Sequence, residues 1–364
     1  MRILYLSLSY LPSRRASSVQ VMRMCHALAA AGHDVTLVAK TGPALGADDD
    51  HAFYGTAGFD VVKLARPSWR GGGVVFTAQM TVEILRRRAD LIYARDLAGA
   101  AIAGQLRRPF VYEAHGIPSH ASARWLLERV VTRPTLRGLV AISSALRADL
   151  AAQGLVPRHA PTIVAHDAAI APPQLATRER AGRPRLGYVG NLYPGRGIEL
   201  VLALAARMPD CEVQIVGGSP DDVARWTPSA PANVVFRGFV EPARLGDIYA
   251  ALDVVLMPYP RSNIGVASGA SDTSRWCSPM KMFEYMASGV PIVASDLPVL
   301  QEILCHERDA LIAPAGDVEA WCSSVRRLLD DPPLAHRLAR AAWDELEREH
   351  TWDARVRRIL GSLA

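Results

Sequence analysis

Residues 278–295 read SPMKMFEYMASGVPIVAS. Their spacing sets a lysine and a glutamate, Lys281 and Glu284, on one face of a short helix. Ser278 suits an N-cap and Pro279 the first helical position. The first-turn N–H groups would then point out of the helix end, an arrangement that binds anions. A lysine in that turn opposes the helix dipole by ~0.3–1 kcal/mol unless an anion receives it. The plainer reading is an i,i+3 ion pair worth roughly 0.2–0.5 kcal/mol. A position between two apolar runs favours the anion site.

A second phosphate candidate lies at 190–197, GNLYPGRG. It has the glycine spacing of a Walker loop but carries Arg196-Gly197 where Lys-Ser/Thr is needed, so no hydroxyl is available for magnesium. The first strand–helix turn, SLSYLPSRRASS, contains no glycine, which argues against a dinucleotide fingerprint and a nicotinamide dehydrogenase. Gly190 would end a strand and let a ligand approach the backbone. Arg196 would enter the next helix, where a guanidinium can fork onto a phosphate; it also reads as an ordinary surface arginine. In YEAHG, His115 is either a functional imidazole or a hydrogen-bonded histidine at a strand end.

The composition around these residues is that of a globular protein, with 364 residues, 50% hydrophobic and 21% charged. At ~150 residues per domain there is room for two to three domains. No run reaches the ~18 apolar residues of a membrane span. The opening MRILYLSLSYLPS has one basic residue, no small-residue cleavage site and a strand-like alternation, which argues against a secretory signal. Cys25, Cys211, Cys277, Cys305 and Cys322 are scattered and lack CxxC spacing, as expected of reduced thiols in a cytoplasmic protein rather than a zinc site or disulfide framework. Cys277 is read as a packed side chain.

A net charge of +5 draws anionic partners. No nucleic-acid motif is present. Apart from Arg86-Arg87-Arg88, basic residues gather in RWLLERVVTRPTLRG at 124–138, where Trp and Leu interleave with Arg. That stretch reads as an interfacial helix on the inner, anionic face of a membrane, or as a helix with one buried and one solvated face. ADDDH at 47–51 is read as solvated, and no carboxylate pair follows a strand in a position to hold Mn²⁺.

The elements that would position these residues alternate regularly. RILYLSL, HDVTLVAK, FDVVKLA, DLIYAR, PFVYEAH and GLVAIS read as strands with helices between them. After a Pro-, Ala- and Arg-rich stretch at 171–185 the pattern restarts with RLGYVGN, CEVQIVGG, NVVFRGFV, DVVLMPY, PIVASD and ALIAPAG. Short continuous apolar strands alternating with helices mean parallel sheets covered on both faces. The fold class is therefore α/β, with two Rossmann-like domains, 1–168 and 183–349, joined near 168–183 and facing a cleft. The amphipathic helix within 350–364 is expected to cross back to the first domain.

With these residues in place, SPMKMFEYMASGVPIVASDLPVLQEI resembles the signature of glycosyltransferase family 4, retaining nucleotide-sugar transferases of the GT-B fold, in the subgroup with an SPxKxFEYMA-type motif. LPSRRASSVQVMRMCHALAAAGHDVTLV resembles the family's acceptor-side loop and first helix, YEAHGIP its sugar-proximal histidine segment, and VVFRGFVEPARLGDIYAALDVVLMPY its nucleotide-base loop. The resemblance implies that Glu284 accepts both ribose hydroxyls, and that the backbone at Gly238, Phe239 and Val240 contacts the base. It places Gly190, Arg196, Ser278 and Lys281 at the donor diphosphate. His115 would lie beside the donor sugar, and Ser17 and Ser18 would border the acceptor. Two positions depart from the pattern: Trp276 stands where the family often has Glu, and Asn191 where it commonly has Arg. Lys281 then supplies the missing charge. Asp272, Ser274 and Arg275 are candidates for the sugar contacts that a glutamate at 276 would make.

The same resemblance implies a hexosyltransferase in glycan, polysaccharide or glycolipid synthesis, using a UDP- or GDP-sugar as co-substrate and needing no cofactor or metal. The acceptor would be a glycan or lipid-linked, with no nucleic acid involved. His115, Arg196 and Lys281 would act in the reaction. Same-face attack is preferred over double displacement, for which Glu113 is the one carboxylate left open. The alternatives are a nucleotide-sugar epimerase or hydrolase on the same fold, and a non-catalytic nucleotide-binding subunit.

Overall fold

The computed structural model describes residues 1–43, 49–67, 69, 72–172, 175, 182–241, 244–262, 264 and 274–363. The chain forms two compact units, Met1–Asp167 with Trp352–Ala364, and Ala168–Thr351. In chain order the first holds β1 (Arg2–Leu11), α1 (Ala16–Ala30), β2 (Asp34–Thr41), α2 (Asp50–Tyr54), β3 (Asp60–Leu64), α3 (Gly72–Arg86), β4 (Leu91–Ala94), α4 (Leu97–Gln105), β5 (Phe110–Ala114), α5 (Ala121–Val131), β6 (Leu136–Ala141), α6 (Ser144–Ala152) and β7 (Thr162–Val164). The second holds β8 (Arg185–Val189), α7 (Ile198–Arg207), β9 (Glu212–Val216), α8 (Pro220–Trp226), β10 (Val234–Gly238), α9 (Leu245–Ala250), β11 (Val254–Met257), α10 (Met280–Ser288), β12 (Ile292–Ser295), β13 (Leu311–Ala313), α11 (Val318–Asp330) and α12 (Pro332–Glu349). The last helix, α13 (Trp352–Gly361), returns to the first unit and packs on α1.

Both sheets are parallel and share one winding. Their orders are β3-β2-β1-β4-β5-β6-β7 and β10-β9-β8-β11-β12-β13. In each, the strand order reverses beside the first strand, between β1 and β4 and between β8 and β11. Such switch points open a crevice at the carboxyl ends of the strands, where ligands of α/β proteins bind. The twelve strands expected from the sequence all form; β7 is an additional short strand, three residues long and beneath the length a periodicity can reveal.

Burial explains why the central strands carry no alternation. β4, β5, β11 and β12 are buried along their whole length because helices cover both faces. In the second unit one face of the sheet packs Leu186, Ile215, Val254 and Leu256 against α7 and α11, anchored by Trp321. The other face packs Val255, Met257 and Ile292 against Phe283, Tyr285 and Met286 of α10.

The basic stretch expected as one helix over 124–138 is divided. α5 ends at Val131, and Leu136 already begins β6. Pro134 accounts for the break: it disfavours helical backbone at the residue before it.

Candidate functional site

Tyr285 fixes α10 against the switch point of the second unit. Its buried hydroxyl accepts from Val189 N–H at 2.8 Å, and the carbonyl oxygens of Val189 and Leu256 lie 3.2 and 3.3 Å away. The helix end is thereby held between the ends of β8 and β11. Pro279, not Ser278, is the N-cap, and its side chain makes no capping bond. The expected boundary is corrected by one residue, because Pro279 keeps an extended ψ of 117° and helical backbone begins at Met280. Ser278 is buried one position earlier. No acidic side chain lies in the first turn, which suits an anion at this helix end.

Lys281 does not pair with Glu284. Its ammonium lies 4.1 Å from the centre of the Tyr188 ring and 4.4 Å from that of Tyr259. Nζ is buried and has no hydrogen-bond partner among the described residues. The i,i+3 ion-pair reading fails, because the side chain turns into the aromatic pair. Burial first, then the neighbouring Arg196 guanidinium, push the Lys281 amine well below the usual lysine range. Arg196 donates from Nη1 to Tyr259 Oη at 2.6 Å, and its Nε is also buried without a partner among the described residues. It immediately precedes Gly197, the N-cap of α7, which likewise has no side-chain cap. Gly197 has φ 78°, and a Cβ there would sit 1.7 Å from the Pro258 carbonyl oxygen, so only glycine lets Arg196 and α7 approach the end of β11. Two cations with unmet donors and the starts of α10 and α7 thus surround one switch point.

The floor beside them is backbone. Gly190 N–H donates to the Val216 carbonyl at 2.8 Å, and Gly217 N–H to the Gly238 carbonyl at 2.7 Å, which ties together the ends of β8, β9 and β10. Gly217, with φ 119°, allows this: a Cβ would lie 2.0 Å from Gly190 O. Gly238 closes β10, and Phe239 and Val240 follow it, half-buried. Glu284 is half-buried on the face of α10 that carries Lys281, and Tyr249 Oη stands 3.5 Å from its Oε2. Asn191 gives its carbonyl to the Tyr188 hydroxyl at 2.7 Å. Trp276 is half-buried in the turn 274–276; Ser274 and Arg275 share that turn, while Asp272 lies outside the described residues.

In the first unit the switch point carries a buried polar cluster. Glu113 is fully buried near the end of β5. Its Oε1 accepts from Gln20 Nε2 at 2.9 Å and faces His115 Nε2 at 2.8 Å. Its Oε2 accepts from the Tyr93 hydroxyl and pairs with Arg355 Nη2 at 3.0 Å. Burial alone would raise the Glu113 carboxyl; the Arg355 guanidinium, then His115 and Arg95, hold it well below the usual range. The His115 side chain is 27% exposed. Burial and then Arg95 push its imidazole down to about 4. Ser17 is half-buried at the start of α1, whereas Ser18 is fully buried and donates its hydroxyl to the Tyr10 carbonyl at 2.9 Å. That bond engages the Ser18 hydroxyl proton.

Sequence reasoning missed Tyr188, Tyr259, Gly217, Gln20, Arg95 and Arg355. The Gly217-Gly218 pair after a strand was a legible signal; the others carry none that local spacing reveals. It also read the acidic loop as solvated. Asp49 is exposed, as expected, and caps α2 by accepting from His51 N–H at 2.9 Å; the Asp50 side chain is 9% exposed and pairs with Lys63 at 2.9 Å. Of that run, Ala47 and Asp48 lie outside the described residues. None of the five cysteines is in a disulfide, and Cys25 and Cys211 are buried.

Residues 17–167 match the family model described as Glycosyltransferase Family 4, and residues 183–331 the one described as Glycosyl transferases group 1. A sulfoquinovosyl transferase of Arabidopsis thaliana is 25% identical over 182 residues, 49% of this chain and 32% of that protein. A GDP-mannose-dependent alpha-mannosyltransferase of Mycobacterium tuberculosis is 29% identical over 265 residues, 71% of this chain and 61% of its own length. The matched region thus spans about a third to three fifths of these relatives. Among solved structures, Anabaena HepE in complex with UDP and glucose superposes with a TM-score of 0.77 at 18% identity, covering 100% of this chain and 99% of HepE.

Proposed function

We propose that the chain is a GT-B glycosyltransferase, since its two halves match a family 4 and a group 1 glycosyltransferase model, and that it transfers a hexosyl group from a nucleoside-diphosphate sugar to a hydroxyl acceptor, with retention of configuration. The observation that carries this reading is the pair of buried cations, Lys281 and Arg196, whose Nζ and Nε have no hydrogen-bond partner among the described residues. Buried charge is costly unless it is met by a counter-charge. A diphosphate at the starts of α7 and α10 meets both cations and the positive ends of both helices.

The leaving nucleoside diphosphate gains charge as the glycosidic bond breaks. Donors already aimed at it, namely Lys281, Arg196 and the helix amides, therefore stabilise the transition state more than the ground state. In this scheme they supply the positive charge, and no metal is required. Glu284 takes the ribose hydroxyls, and the backbone of Gly238, Phe239 and Val240 takes the base. Glu113 is engaged by four partners and is wholly buried. That favours same-face attack by the acceptor over a covalent glycosyl-enzyme. UDP- and GDP-sugars are the first donors to test, given the UDP bound by HepE and the name of the mannosyltransferase.

The test follows product stereochemistry by NMR, with EDTA present and a panel of glycan and polyprenyl-linked acceptors. Transfer with the donor's anomeric configuration kept is the expected outcome. Free sugar whatever acceptor is offered would replace the reading with a hydrolase, and an altered donor sugar with an epimerase. Nucleotide binding without turnover would replace it with a non-catalytic subunit.

Peripheral contact with an anionic membrane forms the second part of the proposal. No helix among the described residues is long and apolar enough to cross a bilayer. Support comes from α5, where Trp125 is 54% exposed and Arg129 lies 4.3 Å from its ring centre. A groove of about 390 Å³ runs beside it, lined by Ile102, Leu106, Leu126 and Val130 and rimmed by Arg129 and Arg133. Val82 and Leu85 of α3, which packs on α4, are exposed as well. Salt-sensitive pelleting with phosphatidylglycerol vesicles, lost in Trp125→Glu, is expected; no salt-sensitive binding would remove the membrane from the account.

A further inference from the structure

The acceptor capacity of Glu113 is fully used. An ionised carboxylate has about four lone-pair sites and no donor. Gln20 and His115 occupy Oε1, and Tyr93 and Arg355 occupy Oε2. The orientation of Gln20 is itself set, because Arg95 Nε donates to Gln20 Oε1 at 2.7 Å and so leaves the amide nitrogen turned to Glu113. Arg355 is equally constrained. Its Nε donates to the His166 carbonyl at 2.8 Å and its Nη2 to the Ala165 carbonyl at 3.3 Å, and the residue is 2% exposed. Against an acceptor-only carboxylate, His115 Nε2 must carry the hydrogen. Among the described residues the ring makes no other hydrogen bond, so Nδ1 of a neutral imidazole keeps a free lone pair on a partly exposed ring.

We propose that Glu113 and Arg355 are positioning residues: Arg355, delivered by the last helix of the chain, fixes the Glu113 carboxylate, which pins His115 as the Nε2–H tautomer and leaves Nδ1 as a hydrogen-bond acceptor for a substrate hydroxyl. The role in glycosyl transfer rests on the function proposed above; the tautomer does not. The charged groups that act on the ring are Arg95, Glu113 and Arg355, with Tyr93 on the Glu113 carboxylate and Asp167 beside Arg355, Glu113 and Arg95. Burial and the two arginines oppose an imidazolium, and the carboxylate favours one; burial and arginine prevail, holding the ring down to about 4. A neutral imidazole with one fixed tautomer can accept a proton or a hydrogen bond at neutral pH without first losing a proton of its own. The Arg355–Glu113 pair also gives α13 a reason to carry an arginine on its buried face.

The experiment is long-range ¹H–¹⁵N correlation of the ring nitrogens in ¹⁵N-histidine-labelled protein, from pH 8 down to about 5. His115 is expected as the Nε2–H tautomer throughout, with no imidazolium signal. An Nδ1–H tautomer, a rapidly exchanging mixture, or an imidazolium at pH 7 would overturn the proposal. Glu113→Gln is expected to lose the pure tautomer, because an amide can donate as well as accept, while circular dichroism stays unchanged; retention of the pure tautomer would assign its control elsewhere. Should the variant not fold, the wild-type spectra still decide. Because the spectrum is read in the free protein, absence of sugar transfer would defeat the proposed function alone. A wrong tautomer would defeat this inference and leave the donor site standing. Where transfer is observed, Glu113→Gln should lower kcat at least 10-fold with the donor KM little changed, a split that a general loss of packing would not produce.

Discussion

Replacing Lys281 by methionine separates what the site does for binding from what it does for stability. The variant keeps an unbranched side chain, one atom shorter, and removes the charge. In the free protein the ammonium is buried between Tyr188 and Tyr259 and makes no hydrogen bond to the described residues. Leaving a buried polar group unsatisfied costs roughly 1–3 kcal/mol, and more for a charged one. Cation–π contact returns ~0.5–2 kcal/mol. The net penalty is about 1–2 kcal/mol, which the apolar thioether escapes. Lys281→Met is therefore expected to stabilise the unliganded protein, raising Tm by roughly 2–8 °C for a unit of this size.

Binding should move the other way. A hydrogen bond to a charged group contributes ~1.5–3 kcal/mol, so affinity for UDP or GDP should fall roughly 10- to 150-fold. The sign of the pH dependence comes from the depressed Lys281 ionisation, caused first by burial and then by Arg196. Its folded pKa lies below its unfolded value of ~10.4. Between the two, the unfolded chain binds more protons, so stability rises with pH across that window; the penalty is full below the folded pKa and gone above the unfolded one. The methionine variant should lack this rise. Calorimetric unfolding over pH, paired with titration calorimetry of the nucleotide, reads both effects. A variant that is less stable without ligand and binds as well as wild type would refute the reasoning and make Lys281 a structural cation.

Three other substitutions probe the same unit. Glu284→Ala should weaken nucleoside diphosphate binding about 10- to 100-fold and erase any preference for ribose over 2′-deoxyribose; titration with UDP and dUDP, or GDP and dGDP, checks it, and unchanged affinity removes the ribose assignment. Tyr285→Phe leaves the Val189 N–H without its 2.8 Å acceptor and should cost ~1–3 kcal/mol in denaturant unfolding, with nucleotide affinity reduced as α10 loosens. Gly217→Ala forces a Cβ to within 2.0 Å of Gly190 O at φ 119°. It should lower stability by ~1–3 kcal/mol or more, measured the same way; a neutral result would show that the strand ends can separate freely.

Much of this architecture is legible in sequence because parallel strands buried on both faces leave short β-branched runs, and β1 to β6 and β8 to β13 all announce themselves that way. β7 does not: three residues carry no period. Lys281 and Glu284 were readable as neighbours on one helical face, but their failure to pair was not. It depends on Tyr188 and Tyr259, which the sheet brings to Lys281 from strand ends elsewhere in the chain. The amphipathic last helix was readable as packing, whereas the Arg355–Glu113 pair was not, since its partners stand far apart in the sequence and meet only through the fold. The N-cap expected at Ser278 was misplaced for a local reason, an extended proline at the helix start.

The central claim is that the starts of α7 and α10 hold a nucleoside diphosphate. It is tested most directly by thermal unfolding with UDP, GDP, dTDP, ADP and NAD in turn, EDTA present throughout. Ligand at ~100 times its dissociation constant adds ~2.7 kcal/mol, and at ~2–4 °C per kcal/mol one nucleoside diphosphate should raise Tm by about 5–10 °C, with the rise cut to roughly half or less in Lys281→Met at the same ligand concentration. No rise with any nucleoside diphosphate, or a rise with NAD alone, would contradict the account.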